Sequence, residues 1–182
     1  MRGFHTHVWK SPSEFLAGID EVEAGAVIVD PGRDMPASMF QRRVATAAAP
    51  LPVIIVTRHA SIPAATAAMR AGALDYLEKP VAEAVLATAA IHALGVLHQW
   101  RMQAAAVTEA RAKLARLSPR ERDVLDHLVA GASNKLIAAK LAISVRTVEI
   151  HRARVMTKLG ATSLVQIAKT VIAAQPPQEL ER

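Results

Sequence analysis

Between Ser118 and Gly160 three helix starts and three helix stops follow one another, so this stretch can only form short helices joined by tight turns. Ser118-Pro119-Arg120-Glu121 is a capping box with proline at the first helical position. Val124, Leu125 and Leu128 give that helix an apolar side, and Gly131 ends it. Ser133 caps a second helix, Asn134 to Leu141, and Ala142-Ile143 forms a short break. Ser144 caps a third, Val145 to Leu159, which Gly160 terminates.

On a wheel at about 100° per residue with Val148 at zero, Val155 and Leu159 fall within about 20° of it. That stripe faces a core. The opposite stripe holds Arg146, Ile150, Ala153 and Thr157, flanked by Glu149 and Arg154, with Thr147 and Lys158 further round. A mixture of cations, hydroxyls and small apolar groups suits a DNA major groove. Arginine binds guanine edges or phosphates, while Ile150 and Ala153 can meet thymine methyls. Lys135, Lys140, Arg146, Arg152, Arg154 and Lys158 lie near one acid, Glu149, a cluster able to anchor phosphates. The net charge of +6 agrees with a polyanionic partner, double-stranded DNA.

The absence of cysteine excludes disulfides, thiol catalysis and cysteine-type zinc sites. No apolar run reaches the roughly 20 residues of a membrane span. MRGFHTHVWKSPSEF has no secretory h-region. A cytoplasmic protein with no membrane partner is expected. The seven histidines form no compact ligand set, and no Gly-rich phosphate loop or nucleophile elbow is present, so no enzyme is expected.

Upstream, strand and helix signals alternate. Phe4–Trp9 reads as a short strand, and Ser11 caps a helix opened by Pro12. The runs at 26–30, 52–57 and 73–77 are short, apolar strand candidates. Helices are expected near 36–46 and 61–71, the latter stopped by Gly72. Apolar runs separated by helices indicate a parallel sheet covered on both faces. From Val81 a helical pattern runs to about Leu117, either a last domain helix with a solvated linker or a connector that also pairs with a second chain. The boundaries are thus 1–80 for an α/β domain, 81–116 for the last helix and linker, and 117–182 for the all-α helix-turn-helix domain. The tail after Ala174 is expected to fray.

The block from LSPRERDVLDHL to SLVQIAK resembles the LuxR-type DNA-binding domain of FixJ/NarL-like regulators. The resemblance implies four helices, the third in the groove and the fourth in dimer contacts. It places Glu149, Ile150 and Ala153 at base-reading positions, with Arg146 and Arg154 beside them. Lys135, Arg146, Thr147, His151, Arg154 and Lys158 stand where backbone contacts are usual. A fourth helix over 163–174 would offer Leu164, Ile167 and Val171 to the dimer.

VIVD, VIIVT and DYLEKP resemble the later part of a response-regulator receiver, a flavodoxin-like α/β fold. By that resemblance Asp30 stands at the phospho-acceptor position, Thr57 at the phosphoryl-contacting hydroxyl and Tyr76 at the aromatic switch. Lys79-Pro80 matches the conserved lysine and its cis proline. The logic is coherent, because an acid nucleophile needs a cation and a hydroxyl nearby to balance the charge gained on phosphorylation. The family's first strand, its Mg²⁺-holding acid pair and its first helix have no counterpart before Asp30. After it, PGRDMPASMF places Met35-Pro36 two residues late.

The reading is therefore an incomplete, degenerate or N-terminally truncated receiver with no cofactor, Mg²⁺ included, joined by a long helix to a LuxR-type domain. The expected function is a dimeric, phosphorylation-independent DNA-binding transcription regulator. The alternatives are a phospho-switched regulator served by a histidine kinase, or a modulator that forms mixed dimers with a full-length regulator.

Overall fold

The computed structural model describes residues 3–32 and 35–175. The tail expected to fray lies, from residue 176 on, outside the described residues. So do Arg33 and Asp34 of the segment after Asp30. The chain divides into two compact units, one through Trp100 and one from Arg101.

The first unit contains α1 (Pro12–Ala17), β1 (Val27–Val29), α2 (Ala37–Ala45), β2 (Val53–Thr57), α3 (Ile62–Arg70), β3 (Asp75–Glu78) and the first part of α4 (Glu83–Ala115). The strands form a parallel sheet in the order β1-β2-β3, with Val27 opposite Val53 and Ile54 opposite Asp75. All five residues of the central β2 are buried. Successive strand side chains point to opposite faces. Val53 and Ile55 therefore join Phe15, Phe40, Val44 and Ala68 in one apolar layer. Ile54 and Val56 join Ala89 and Ala93 of α4 in the other. Alanines at the α4 contact let that helix lie close against the sheet. The third strand begins two residues later than the apolar run suggests, since its ladder with β2 starts at Asp75.

The strand expected at Phe4–Trp9 does not form: residues 3–9 have no regular structure. A strand needs a neighbour with free backbone groups, and among the described residues β1 pairs with β2 alone. Ring packing holds the segment instead. The Trp9 ring meets Phe15 edge-on at 5.0 Å, and Phe15 lies 5.8 Å from Phe40. The cap at Ser11 forms as read, its hydroxyl accepting from the Glu14 N–H at 3.1 Å.

The second unit contains the last turns of α4 and then α5 (Pro119–Val129), α6 (Asn134–Leu141), α7 (Val145–Leu159) and α8 (Leu164–Ala174). Within the segment 81–116, read as the last helix and a helical linker, α4 is one continuous helix. Both halves of the Ser118–Glu121 capping box are present, and Ser133, Ser144 and Ser163 each accept a backbone N–H at a helix start. Each such cap contributes about 1 kcal/mol. Val148 packs with Val124, Leu128 and Ile137. Val155 and Leu159 pack with Leu114, Leu117, Leu125 and Ile167.

The break between α6 and α7 turns on Ala142, whose φ of 52° lies in the left-handed region. That conformation costs an L-residue about 1–2 kcal/mol, which glycine avoids at a smaller entropic cost. Ala142→Gly is expected to raise stability by about 0.5–1 kcal/mol. Thermal unfolding measures it; a lowered midpoint would mean that Ala142 carries no strain.

Candidate nucleic-acid interface

α7 is presented by its own chemistry. The Ser144 hydroxyl accepts from the Thr147 N–H at 3.0 Å and lies 2.8 Å from the Thr147 hydroxyl. Val148, Val155 and Leu159 are buried, as the wheel requires. The opposite side leaves Arg146, Glu149, Ile150, Ala153 and Arg154 exposed, with Ile150 at 45%. Thr157 shares that side, but its hydroxyl donates back to the Ala153 carbonyl at 3.0 Å.

Two of the six basic residues have duties inside the fold. Lys158 donates to the Glu121 carboxylate at 2.6 Å, and the Glu121 side chain is only 4% exposed. The same carboxylate accepts from the Ser118 N–H at 2.8 Å. The Lys158 ammonium first, and the Ser118 amide next, push the Glu121 carboxyl down to about 2. Arg152 reaches the Asn134 side-chain carbonyl at 3.4 Å, tying α7 to the start of α6. Sequence reasoning missed both ties. Glu121 reads as a cap residue, and nothing local links it to a lysine 37 positions on. His151 is half-buried, and its Nδ1 is buried without a hydrogen-bond partner. Lys135 and Lys140 are exposed on α6.

On α8 the dimer assignment needs correction. Ile167 is 1% exposed and belongs to the core with Leu125 and Val155, while Val171 packs against that core. The helix turns them inward because they sit on the side facing α5 and α7. The apolar residues left outside are Leu164, Val165 and Ile172, at 44%, 65% and 66% exposure.

In the first unit the residues expected at a phosphoryl site converge in part. Lys79 Nζ lies 2.8 Å from Asp30 Oδ2. The Lys79 N–H donates to the Thr57 carbonyl at 2.8 Å, which sets the end of β3 beside the end of β2. Lys79-Pro80 is cis. Thr57 is buried, and its hydroxyl accepts from the His59 N–H at 3.2 Å. Tyr76 is partly buried against the core. The Lys79 ammonium holds the Asp30 carboxyl below its usual range, helped by the Gly32 N–H and the Arg58 charge and opposed by partial burial.

The groups around Asp30 are thus donors and cations. A magnesium ion needs oxygen ligands arranged around it. Among the described residues no group of three or more histidine, aspartate or glutamate side chains could hold a metal. The described residues around Asp30 do not supply a ligand set that fits that ion.

Charge separates along the chain. Residues 101–182 carry 14 lysines and arginines against 7 acids, whereas residues 1–100 carry 8 against 9. The cationic excess lies wholly in the half that contains α7. No helix of the described residues is long and apolar enough to cross a membrane.

Residues 115–171 match the bacterial regulatory proteins of the luxR family, and residues 1–91 match the response regulator receiver domain. The transcriptional regulatory protein FixJ of Bradyrhizobium diazoefficiens is 36% identical over 175 residues, covering 94% of this chain and 84% of that protein. FixJ of Rhizobium meliloti is 38% identical over 174 residues, covering 95% and 85%. Among solved structures, the response regulator StyR superposes with a TM-score of 0.78 at 28% identity, over 94% of this chain and 87% of that one. Full-length FixJ from B. japonicum gives 0.53 at 35% identity, over 94% and 85%. The receiver match runs from the first residue and sets no reduced form apart, so the expectation of a degenerate receiver gains no support from it. The chain belongs to the FixJ-like response regulators: it is a DNA-binding transcriptional regulator that joins a receiver domain to a LuxR-type helix-turn-helix, and it is not an enzyme.

Proposed function

We propose that this regulator works in the cytoplasm as a homodimer, and that dimerisation, rather than a phosphate on Asp30, sets its grip on DNA. The observation that carries the reading is the exposed set on α7: Arg146, Glu149, Ile150, Ala153 and Arg154 on a helix whose other side is core. A helix with its side chains is about 10–12 Å across, which matches a major groove about 12 Å wide. Arg146, Glu149, Ile150 and Ala153 meet base edges, and Arg154, at the rim of the set, meets a phosphate. Lys135 and Lys140 meet phosphates, and Thr147, His151 and Lys158 flank the backbone. Thr147 and Lys158 do so with groups already shared inside the fold. The exposed Leu164, Val165 and Ile172 supply an apolar face for the second copy. Among the described residues no group of three acid or histidine side chains stands ready for a metal, and this supports control without phosphorylation.

A dimer in which each copy places Lys135, Lys140 and Arg154 on phosphates neutralises six of them. Affinity for a promoter fragment should then fall about 10³-fold between 50 and 200 mM salt. Fluorescence anisotropy measures this before and after treatment with acetyl phosphate and Mg²⁺, and the treatment should leave the curve in place. A Mg²⁺-dependent aspartyl phosphate on Asp30 that tightens binding would replace this reading with the phospho-switched one, served by a histidine kinase, which the Asp30–Lys79 pair beside Thr57 favours. Weak DNA affinity together with co-purification of a full-length regulator would replace it with the mixed-dimer reading.

A further inference from the structure

We infer that Glu149 is a specificity-determining residue, selecting an exocyclic amino group, that of cytosine, at one base pair of each half-site. This rests on the reading that α7 enters the major groove.

Glu149 is the sole acid on a 15-residue helix that carries Arg146, Arg152, Arg154 and Lys158. An acid on a face that approaches phosphates lowers affinity, so its presence calls for a reason. The fold supplies none. Glu149 is exposed and enters no ion pair or hydrogen bond among the described residues. Its possible helical partners are otherwise disposed: Arg152 is turned toward Asn134, and Arg146, three residues back, forms no salt bridge with it. Capping is done by Ser144. Glu149 is the fifth residue of the helix, beyond the first turn in which an acid gains from the helix dipole.

What remains is its place in the outer arc. At about 100° per residue, Glu149, Ala153, Arg146 and Ile150 fall in succession around roughly 100° of the helix. Glu149 thus stands at one edge of the base-facing set, with the Ala153 methyl beside it leaving room for close approach.

A carboxylate only accepts hydrogen bonds. In the major groove cytosine offers a donor at N4, guanine offers acceptors at N7 and O6, and thymine offers O4 and a methyl. A carboxylate set against guanine or thymine meets like partial charge with no bond to repay its desolvation. Against cytosine it gains a charge-assisted bond. Adenine presents a donor, but next to the N7 acceptor, which disfavours it relative to cytosine. Glu149 therefore works by rejection as much as by attraction, and non-specific DNA should feel only the repulsion.

The test selects binding sites from random duplex DNA with the full-length chain and with Glu149→Gln and Arg154→Ala, then measures the affinity of each for its own site and for unrelated DNA. The wild type should enrich cytosine at one position per half-site by about 10-fold or more over guanine and thymine. Glu149→Gln should lose that preference, moving toward adenine, and bind unrelated DNA several-fold tighter. Arg154→Ala should weaken binding and keep the cytosine. Unaltered base preference in Glu149→Gln would overturn the inference while leaving the groove reading intact. A wild type that enriches no sequence would overturn both. Neither substitution touches a buried group, so equal thermal midpoints certify the comparison.

Discussion

Ile150→Asp should reduce specific DNA binding by about 100-fold or more, from two effects that add. The first is the removal of an apolar surface. Ile150 is 45% exposed and is the one large apolar side chain among the outward residues Arg146, Glu149, Ala153 and Arg154, so it gains further burial only when it meets a partner. Each good match of a side chain to a base edge discriminates by about 1–3 kcal/mol. The second effect is electrostatic. An aspartate there stands next to Glu149 and turns an arc governed by Arg146 and Arg154 into one with balanced charge. Phosphates and the acceptor-rich groove then repel it. The fold should not notice, because nothing buried is removed. Arg154→Ala provides the scale: it should weaken binding about equally on all sequences and lower the salt slope by about 1 for each phosphate that Arg154 neutralises. Equal binding by wild type, Ile150→Asp and Arg154→Ala in a gel shift would refute the assignment of this face to the groove.

Glu121→Gln should clearly lower the stability of the second unit. The Glu121 carboxylate is buried, accepts from the Ser118 amide and receives the Lys158 ammonium at 2.6 Å. Glu121→Gln removes the charge from both bonds, and the Lys158 ammonium, whose side chain is 35% exposed, loses its partner but keeps access to water. The thermal midpoint at neutral pH should fall by about 5–10 °C for a domain of this size. The pH dependence follows from the sign of the shift. The Glu121 carboxyl sits at about 2 in the fold, against an ordinary value of 4.5. Its contribution is therefore fully present above about 4.5 and is lost as pH falls toward 2. The gap in midpoint between wild type and Glu121→Gln should stay constant from neutral pH to near 5 and close below it. A gap of the same size at pH 2.5 would show that the ion pair is not its source. Pairing Glu121→Gln with Lys158→Met should cost less than the two single changes together, since Lys158→Met alone strands the buried Glu121 carboxylate and the pair does not.

Much of the second unit was legible because its signals are local. Ser118, Ser133 and Ser144 act within three residues of themselves, and the buried stripe of α7 repeats at the helical period. Pairings distant in sequence were not legible. Glu121 with Lys158 and Arg152 with Asn134 arise only when the helices pack. The error at Ile167 has the same origin. Spacing put Leu164, Ile167 and Val171 on one apolar side, but spacing cannot tell which part of that side meets α5 and α7. The strand expected at Phe4–Trp9 shows the limit for sheets: composition favours an extended chain, but a strand exists only where a neighbour has free backbone groups. Thr57 and Lys79 stand at the ends of neighbouring strands in one parallel sheet, a proximity that follows from the ladder and not from their spacing.

The reading helix is held along its whole length. Ser144 fixes its first turn, Arg152 ties its middle to Asn134, and Lys158 locks its last turn to a buried carboxylate. A helix pinned in this way sacrifices little conformational freedom on binding, and it cannot reshape itself to a poor site. The adjustment must come from the duplex. Sites whose flanking steps bend or unwind easily, such as TA or CA, should then bind better than stiffer ones with the same contacted bases. Part of what this regulator recognises would be written in base pairs that none of its side chains touches.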